Sequence, residues 1–187
     1  MAVQLGNSTS RYGLIHKLLH AVAAPLVIGV YILGLWMNDL SYYSPYYQSA
    51  PLTHSSLASM VTVLILARLS WKLWQPSVLP LPSYSRFERL AAKLAHGAIY
   101  VLIFVLAITA YLFSTAQGDP LHLWFDIEIP SLGGRDIDSA WVDWLGRIHE
   151  LAAHALALLI ILHVIGVIKH HFFDKDKTFS RMFFGRK

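Results

Sequence analysis

HELAAHALALLIILHV, running from His149 to Val164, is apolar enough to lie inside a membrane, yet it carries three imidazoles. A helix advances about 1.5 Å and turns about 100° per residue, which puts His149 and His163 about 21 Å apart along the axis and only about 40° apart around it. His154 falls about 140° from His149, on another face. One stripe of one helix therefore offers two nitrogen ligands at two depths.

Of the 187 residues, 56% are hydrophobic and only 14% are charged, against about 25% charged in a typical soluble domain. Four segments reach the roughly 20 apolar residues that a bilayer crossing needs: 14–37, 52–74, 94–116 and 145–168. Little chain lies outside them, so we expect a single membrane domain over residues 1–187. The fold class is an all-α integral membrane protein, a bundle of four transmembrane helices. The first segment starts late and lacks a small-residue cleavage site, so it does not read as a removable signal peptide. Cysteine is absent, which excludes disulfides, iron–sulfur clusters, zinc–thiolate sites and covalently attached c-type haem. Histidine, with ten residues, is the plentiful metal ligand.

The net charge of +4 is unevenly spread. With the N-terminus inside, all Lys and Arg except Arg135 and Arg147 fall on the inner side. The positive-inside rule then places both termini in the cytoplasm. Asp39, Asp119, Asp126, Glu128, Asp136, Asp138, Asp143 and Glu150 lie on the outer side. Topology explains the basic face, and no nucleic-acid partner is expected.

Tyr42, Tyr43, Tyr46 and Tyr47 follow the first span and suit the interfacial aromatic belt. PSVLPLPSYS, after the second span, is a proline-punctuated turn. The connection QGDPLHLWFDIEIPSLGGRDIDSAWVDW mixes aromatics with acids and is expected to form a partly ordered outer cap. The closing KHHFFDKDKTFSRMFFGRK reads as a basic amphipathic tail at the inner headgroup layer.

Ionisable residues inside spanning segments are costly and mark function by default. Matching depth pairs His54 with His149 near the outer surface and His20 with His163 near the inner one. Zinc or copper gathers three or four ligands at one level, whereas pairs of imidazoles on facing helices suit bis-His haem b. Two such haems in the bundle core would form a wire across the membrane. Two rivals to His20 remain open on this reading: His96, equally deep in the third helix, and His16, one turn before His20. His154 is expected to pack or hydrogen-bond, and His122 to be solvated. His170, on the stripe of His163 at the inner surface, could donate to a quinone carbonyl or a haem propionate. Arg147 on the outer side and Arg68, Arg11 and Lys17 on the inner side are the cations placed to meet propionates.

RYGLIHKLLH, APLTHSS, LAHGAIYVLIF, the His149–Glu150 pair followed by Leu162–His163, and KHHFFDKDKTFSRM occur in this order over nearly the whole chain. In this the sequence resembles the bacterial cytochrome b561 family of small four-helix dihaem membrane cytochromes. The resemblance carries the metal ligands onto His20, His54, His149 and His163, and points to His96 and His170 for a quinone near the inner end. It implies two b haems and exchange of electrons with ubiquinone or ubiquinol. For one branch it implies an oxidoreductase that oxidises superoxide at the outer face; otherwise the chain is expected to be a haem b membrane anchor serving a periplasmic redox protein. Eight acids against two bases on the outer side oppose the steering of an anion such as superoxide.

Overall fold

The computed structural model describes residues 4–132 and 138–183; Arg135, Asp136, Arg186 and Lys187 lie outside them. Four long helices, α1 (Leu14–Asn38), α2 (Ser49–Trp74), α3 (Arg86–Ser114) and α4 (Ser139–Ile168), are joined by a short hairpin of β1 (Leu121–Leu123) and β2 (Ile127–Ile129) and followed by α5 (Thr178–Phe183). All four long helices have the length and apolarity to cross a membrane, as the sequence predicts.

α1 starts at Leu14, as hydropathy predicts, whereas α2, α3 and α4 start before their hydropathy boundaries, and local chemistry explains why. α3 begins at Arg86 rather than at residue 94 because Ser85 and Glu88 form a capping box. Ser85 Oγ accepts the Glu88 N–H at 3.2 Å and Glu88 Oε2 accepts the Ser85 N–H at 2.8 Å. α4 begins at Ser139 rather than at residue 145, with Asp138 Oδ1 accepting the Ala140 N–H at 3.0 Å. α2 starts at Ser49 rather than at residue 52, with Pro51 in its first turn, where a missing N–H costs nothing. Hydropathy sees only the lipid-soluble part of a helix, whereas caps mark where its backbone bonds begin.

Hydroxyls in the spans are satisfied by their own helices. Ser56, Thr62, Thr109 and Thr115 donate to the carbonyls of Leu52 (2.7 Å), Ala58 (2.9 Å), Val105 (2.7 Å) and Tyr111 (2.8 Å). This back-bonding lets a polar group stand where water is absent.

The chain divides into two compact units, and each long helix gives part of its length to each. The first comprises residues 1–25, 63–100 and 158–187. Here the Gly13 N–H donates to Asn7 Oδ1 at 2.9 Å and the Leu14 N–H to the Gln4 carbonyl at 2.9 Å, so the leading segment folds back onto the start of α1. A Cβ at Gly13 would stand 2.2 Å from the Leu5 carbonyl oxygen, a backbone approach that only glycine permits. Beyond α4 a π-helical turn, Lys169–Phe173, leads to α5. Arg181 Nη2 donates to the carbonyls of Ser10 (2.8 Å) and Leu79 (3.1 Å), tying α5 to the leading segment and to the proline-rich turn.

The second unit comprises residues 26–62 and 101–157. The expected cap is in part the β1–β2 hairpin, paired Leu121 to Ile129 and Leu123 to Ile127. The Trp124 N–H donates to Ser56 Oγ at 2.9 Å, and Tyr111 Oη donates to the Pro130 carbonyl at 2.7 Å while accepting the Leu132 N–H at 2.9 Å. Phe125, at the hairpin's tip, has φ 62° and is 90% exposed. Tyr42 packs against Tyr43 and Tyr47 with centroids 5.8 and 5.3 Å apart, in keeping with an aromatic belt.

Arg181→Ala removes both bonds from the guanidinium to backbone oxygens. The expected cost is about 1 kcal/mol, read as a lower midpoint of thermal unfolding in detergent, with Arg181→Lys recovering part of it.

Candidate functional site

In the second unit, His54 of α2 and His149 of α4 are near enough to act on one another electrostatically. His149 Nδ1 stands 3.1 Å from the Leu106 carbonyl oxygen and 3.2 Å from Thr109 Oγ1. A carbonyl can only accept, and the Thr109 proton is already given to Val105, so Nδ1 carries the imidazole proton. Nε2 is thereby left with its lone pair, the arrangement that orients a metal-binding histidine. Phe113 meets this ring edge-on, with centroids 5.5 Å apart.

His54 Nδ1 is sealed from solvent and makes no aligned hydrogen bond, although the Val30 carbonyl acts on the ring. Gly34 of α1 faces it: a Cβ there would lie 3.0 Å from His54 Cε1 and 3.5 Å from Nδ1. The missing side chain gives the imidazole its place against α1.

In the first unit, His20 and His163 are likewise electrostatic neighbours. His96 comes with them, its ring 5.2 Å from that of His163. His16 is 6% exposed and stacks on Tyr12 with centroids 4.6 Å apart. The Arg68 guanidinium is close enough to act on His16, His20, His96 and His163 together. Two imidazoles thus converge on His163, so His20 and His96 both remain within its reach.

His170 is engaged in a different network. Its Nδ1 lies 2.9 Å from Asp174 Oδ2 and 2.9 Å from Asp176 Oδ2, at ion-pair distance but off hydrogen-bond alignment. Its ring stacks on Tyr84 with centroids 4.7 Å apart. Tyr84 shares a hydrogen bond with the Thr178 hydroxyl, and burial pushes its phenol above the ordinary value. Lys169 Nζ bonds Glu88 and, at 2.8 Å, Asp174. Glu88, His170 and Asp174 bring ligand atoms within 4.8 Å of one another, but Lys169 already neutralises two of them, which makes this an ion-pair network.

His154 Nδ1 is 2.9 Å from Tyr31 Oη, the hydrogen-bonding role its face predicts. His122 is exposed and pairs with Glu128 at 3.2 Å. Arg147 is exposed and lines an open depression with Phe113, Asp143 and Glu150. Thr109 and Trp71 were not singled out from the sequence; a threonine in an apolar span signals back-bonding and nothing more.

The fold and these side chains define a helical membrane protein whose intramembrane donors are imidazoles. A family model described as prokaryotic cytochrome b561 matches residues 11–185, and the chain belongs to that family. It is similar to cytochrome b561 homolog 2 of Escherichia coli (strain K12), 39% identical over 178 residues, covering 94% of this chain and 93% of that protein. It is also similar to the probable superoxide oxidase CybB of Yersinia pestis, 28% identical over 129 residues, covering 69% of this chain and 72% of that one. Membership makes it a prokaryotic membrane electron-transfer protein of the b-haem kind. The residues present fit such a group: the donors are imidazole nitrogens, His149 Nδ1 is held by the Leu106 carbonyl so that Nε2 keeps its lone pair, and a glycine makes room for the His54 ring.

Gly34→Val would place methyls where the His54 ring stands, and is expected to lower the haem bound per chain in a pyridine haemochrome assay. Gly29→Ala, with nothing within 4 Å of its added carbon, is the matched control and should leave haem content unchanged.

Proposed function

We propose that this protein carries electrons across the bacterial inner membrane through two bis-His b haems, between ubiquinone and a redox partner on the outer side, with both termini in the cytoplasm. The observation that carries this reading is the His149 imidazole, its Nδ1 proton committed to Leu106 so that Nε2 keeps its lone pair, with His54 in electrostatic reach. In this reading His54 and His149 hold the outer haem, and His20 and His163 hold the inner one. When bound, each haem supplies a one-electron carrier whose potential is set by its axial nitrogens, burial and neighbouring charge.

The chain's own residues do the rest. Leu106 and Thr109 fix the ring of His149, and Gly34 makes room for His54. Arg147 and Arg68 supply the cations nearest the outer and inner haems, and His96 and His170 are the candidates for quinone contact. His170 Nδ1 stands 2.9 Å from both Asp174 Oδ2 and Asp176 Oδ2.

With superoxide as donor, two anions each give up one electron to become dioxygen, and those electrons with two protons convert ubiquinone to ubiquinol. The name of the Yersinia pestis relative supports this substrate. A second reading, an electron-transfer subunit serving a basic periplasmic protein, is favoured by the acids around the hairpin, Asp119, Asp126 and Glu128.

Two measurements test these assignments. His20→Ala should lose one haem per chain by pyridine haemochrome while His96→Ala keeps both; the reverse result makes His96 the inner ligand. Stopped-flow mixing of the detergent-purified protein with superoxide should reduce haem within the mixing experiment. Haem that stays oxidised there, yet is reduced by ubiquinol, assigns the protein to the second reading.

A further inference from the structure

Among the nitrogens of the first unit that are sealed from solvent and make no hydrogen bond are His16 Nδ1, Arg68 Nε and Trp71 Nε1; His170 Nδ1 and Arg181 Nε are two more, the former beside Asp174 and Asp176. Arg68 and Trp71 are three residues apart on α2 and so share a face. His16, on α1, is 6% exposed, walled by Tyr12, and within electrostatic reach of Arg68. Among the described residues no carboxylate pairs with Arg68 and no hydrogen bond reaches its guanidinium. The other intramembrane cation on α2 is differently disposed, since Lys72 Nζ sits 5.4 Å from the centre of the Tyr100 ring.

A guanidinium in a spanning helix needs either water or an anion. Snorkelling can bring the terminal nitrogens of the head group to water, but Nε is sealed and water does not reach it. Among the described residues no anion answers the second need. A cation and an indole donor on one helix face, with an almost fully buried imidazole nearby, make a site for an acceptor-rich, negatively charged group.

We propose that His16, Arg68 and Trp71 form the receptor for a carboxylate, and that the carboxylate is a propionate of the inner haem. The assignment rests on the reading that His20 and His163 hold that haem. His16 lies one helical turn before His20 on α1, and Arg68 acts on both His20 and His163. The same guanidinium that meets the propionate therefore stands beside the axial ligands. Its positive charge favours the reduced state of the iron and raises the potential of the inner haem. His16, weighed from the sequence as a rival axial ligand, becomes a propionate-binding residue.

The test uses the full chain purified in detergent with its haem, and the variants Arg68→Gln, Arg68→Lys, Trp71→Phe and His16→Phe. The haemochrome content, a potentiometric titration of each haem and the propionate-bending bands in resonance Raman are recorded. The expected result is a lowered potential for one haem of two in Arg68→Gln, partly restored in Arg68→Lys. Shifted propionate bands are expected in Trp71→Phe and His16→Phe with both haems retained. If both haems are present and neither potentials nor propionate bands move in Trp71→Phe and His16→Phe, the proposal is overturned, even if Arg68→Gln fails to fold. If the bands and potentials stay fixed while the Michaelis constant for ubiquinone rises, the donors hold a quinone oxygen instead, and the proposal again falls. Failure of the underlying reading looks different, because His20→Ala would then leave haem content at its wild-type value.

Discussion

The bond from His149 Nδ1 to the Leu106 carbonyl is the constraint on which the site depends. A neutral imidazole has one proton and one lone pair, and in lipid neither can be left to water. Giving the proton to a backbone carbonyl of α3 decides which nitrogen is offered to anything else, and Thr109 reinforces the choice because its own proton is spent on Val105. His154, five residues further along the same helix, shows the contrary case. Its Nδ1 is bonded to the Tyr31 hydroxyl, so this imidazole serves to join α4 to α1. Composition cannot separate the two histidines; the partner of one ring nitrogen does.

A second division separates cations that have acids from cations that do not. Lys169 is shared between Glu88 and Asp174, and His170 faces Asp174 and Asp176. These groups lie at a helix end and its following turn, where an ion pair is partly hydrated and contributes modestly. Arg68 is in electrostatic reach of four imidazoles, and among the described residues no acid pairs with it. Natural membrane proteins place such a residue where a ligand completes it. The contrast between Lys169 and Arg68 is thus one of role, although both are single basic residues on apolar helices.

The four spans and the placing of His149 and His163 on one stripe of α4 were legible because they follow from hydropathy and helical period alone. The ends of α3 and α4 were read too far in, since Ser85, Glu88 and Asp138 are polar and lie outside any hydrophobic window, even though their spacing is a capping signature. The hairpin was missed because three-residue strands carry no periodicity. The choice among His16, His20 and His96 stayed open for a different reason. All three lie at similar depth, and depth is what a sequence reports; orientation around the helix relative to unseen neighbours is not. Trp71 carries no signal in the sequence, and only the burial of its Nε1 sets it apart.

Electrostatics weighs on the choice of outer partner. An anionic substrate is steered by the local field at the entrance and not by the total charge of a face. Arg147 is the described cation nearest the proposed outer haem, yet it shares its depression with Asp143 and Glu150, which offset it within a few residues. At physiological ionic strength charges farther than about 8 Å are screened, so the remaining acids neither help nor greatly hinder capture there. Around the hairpin, by contrast, Asp126 and Glu128 flank an exposed Phe125. Acids bordering an exposed aromatic suit the docking of a basic protein, where complementary charge sets the encounter rate and an apolar contact sets the residence time. On the proposed function, a small anion and a protein partner would use different parts of the same unit, the first the depression that Arg147 lines and the second the hairpin surface.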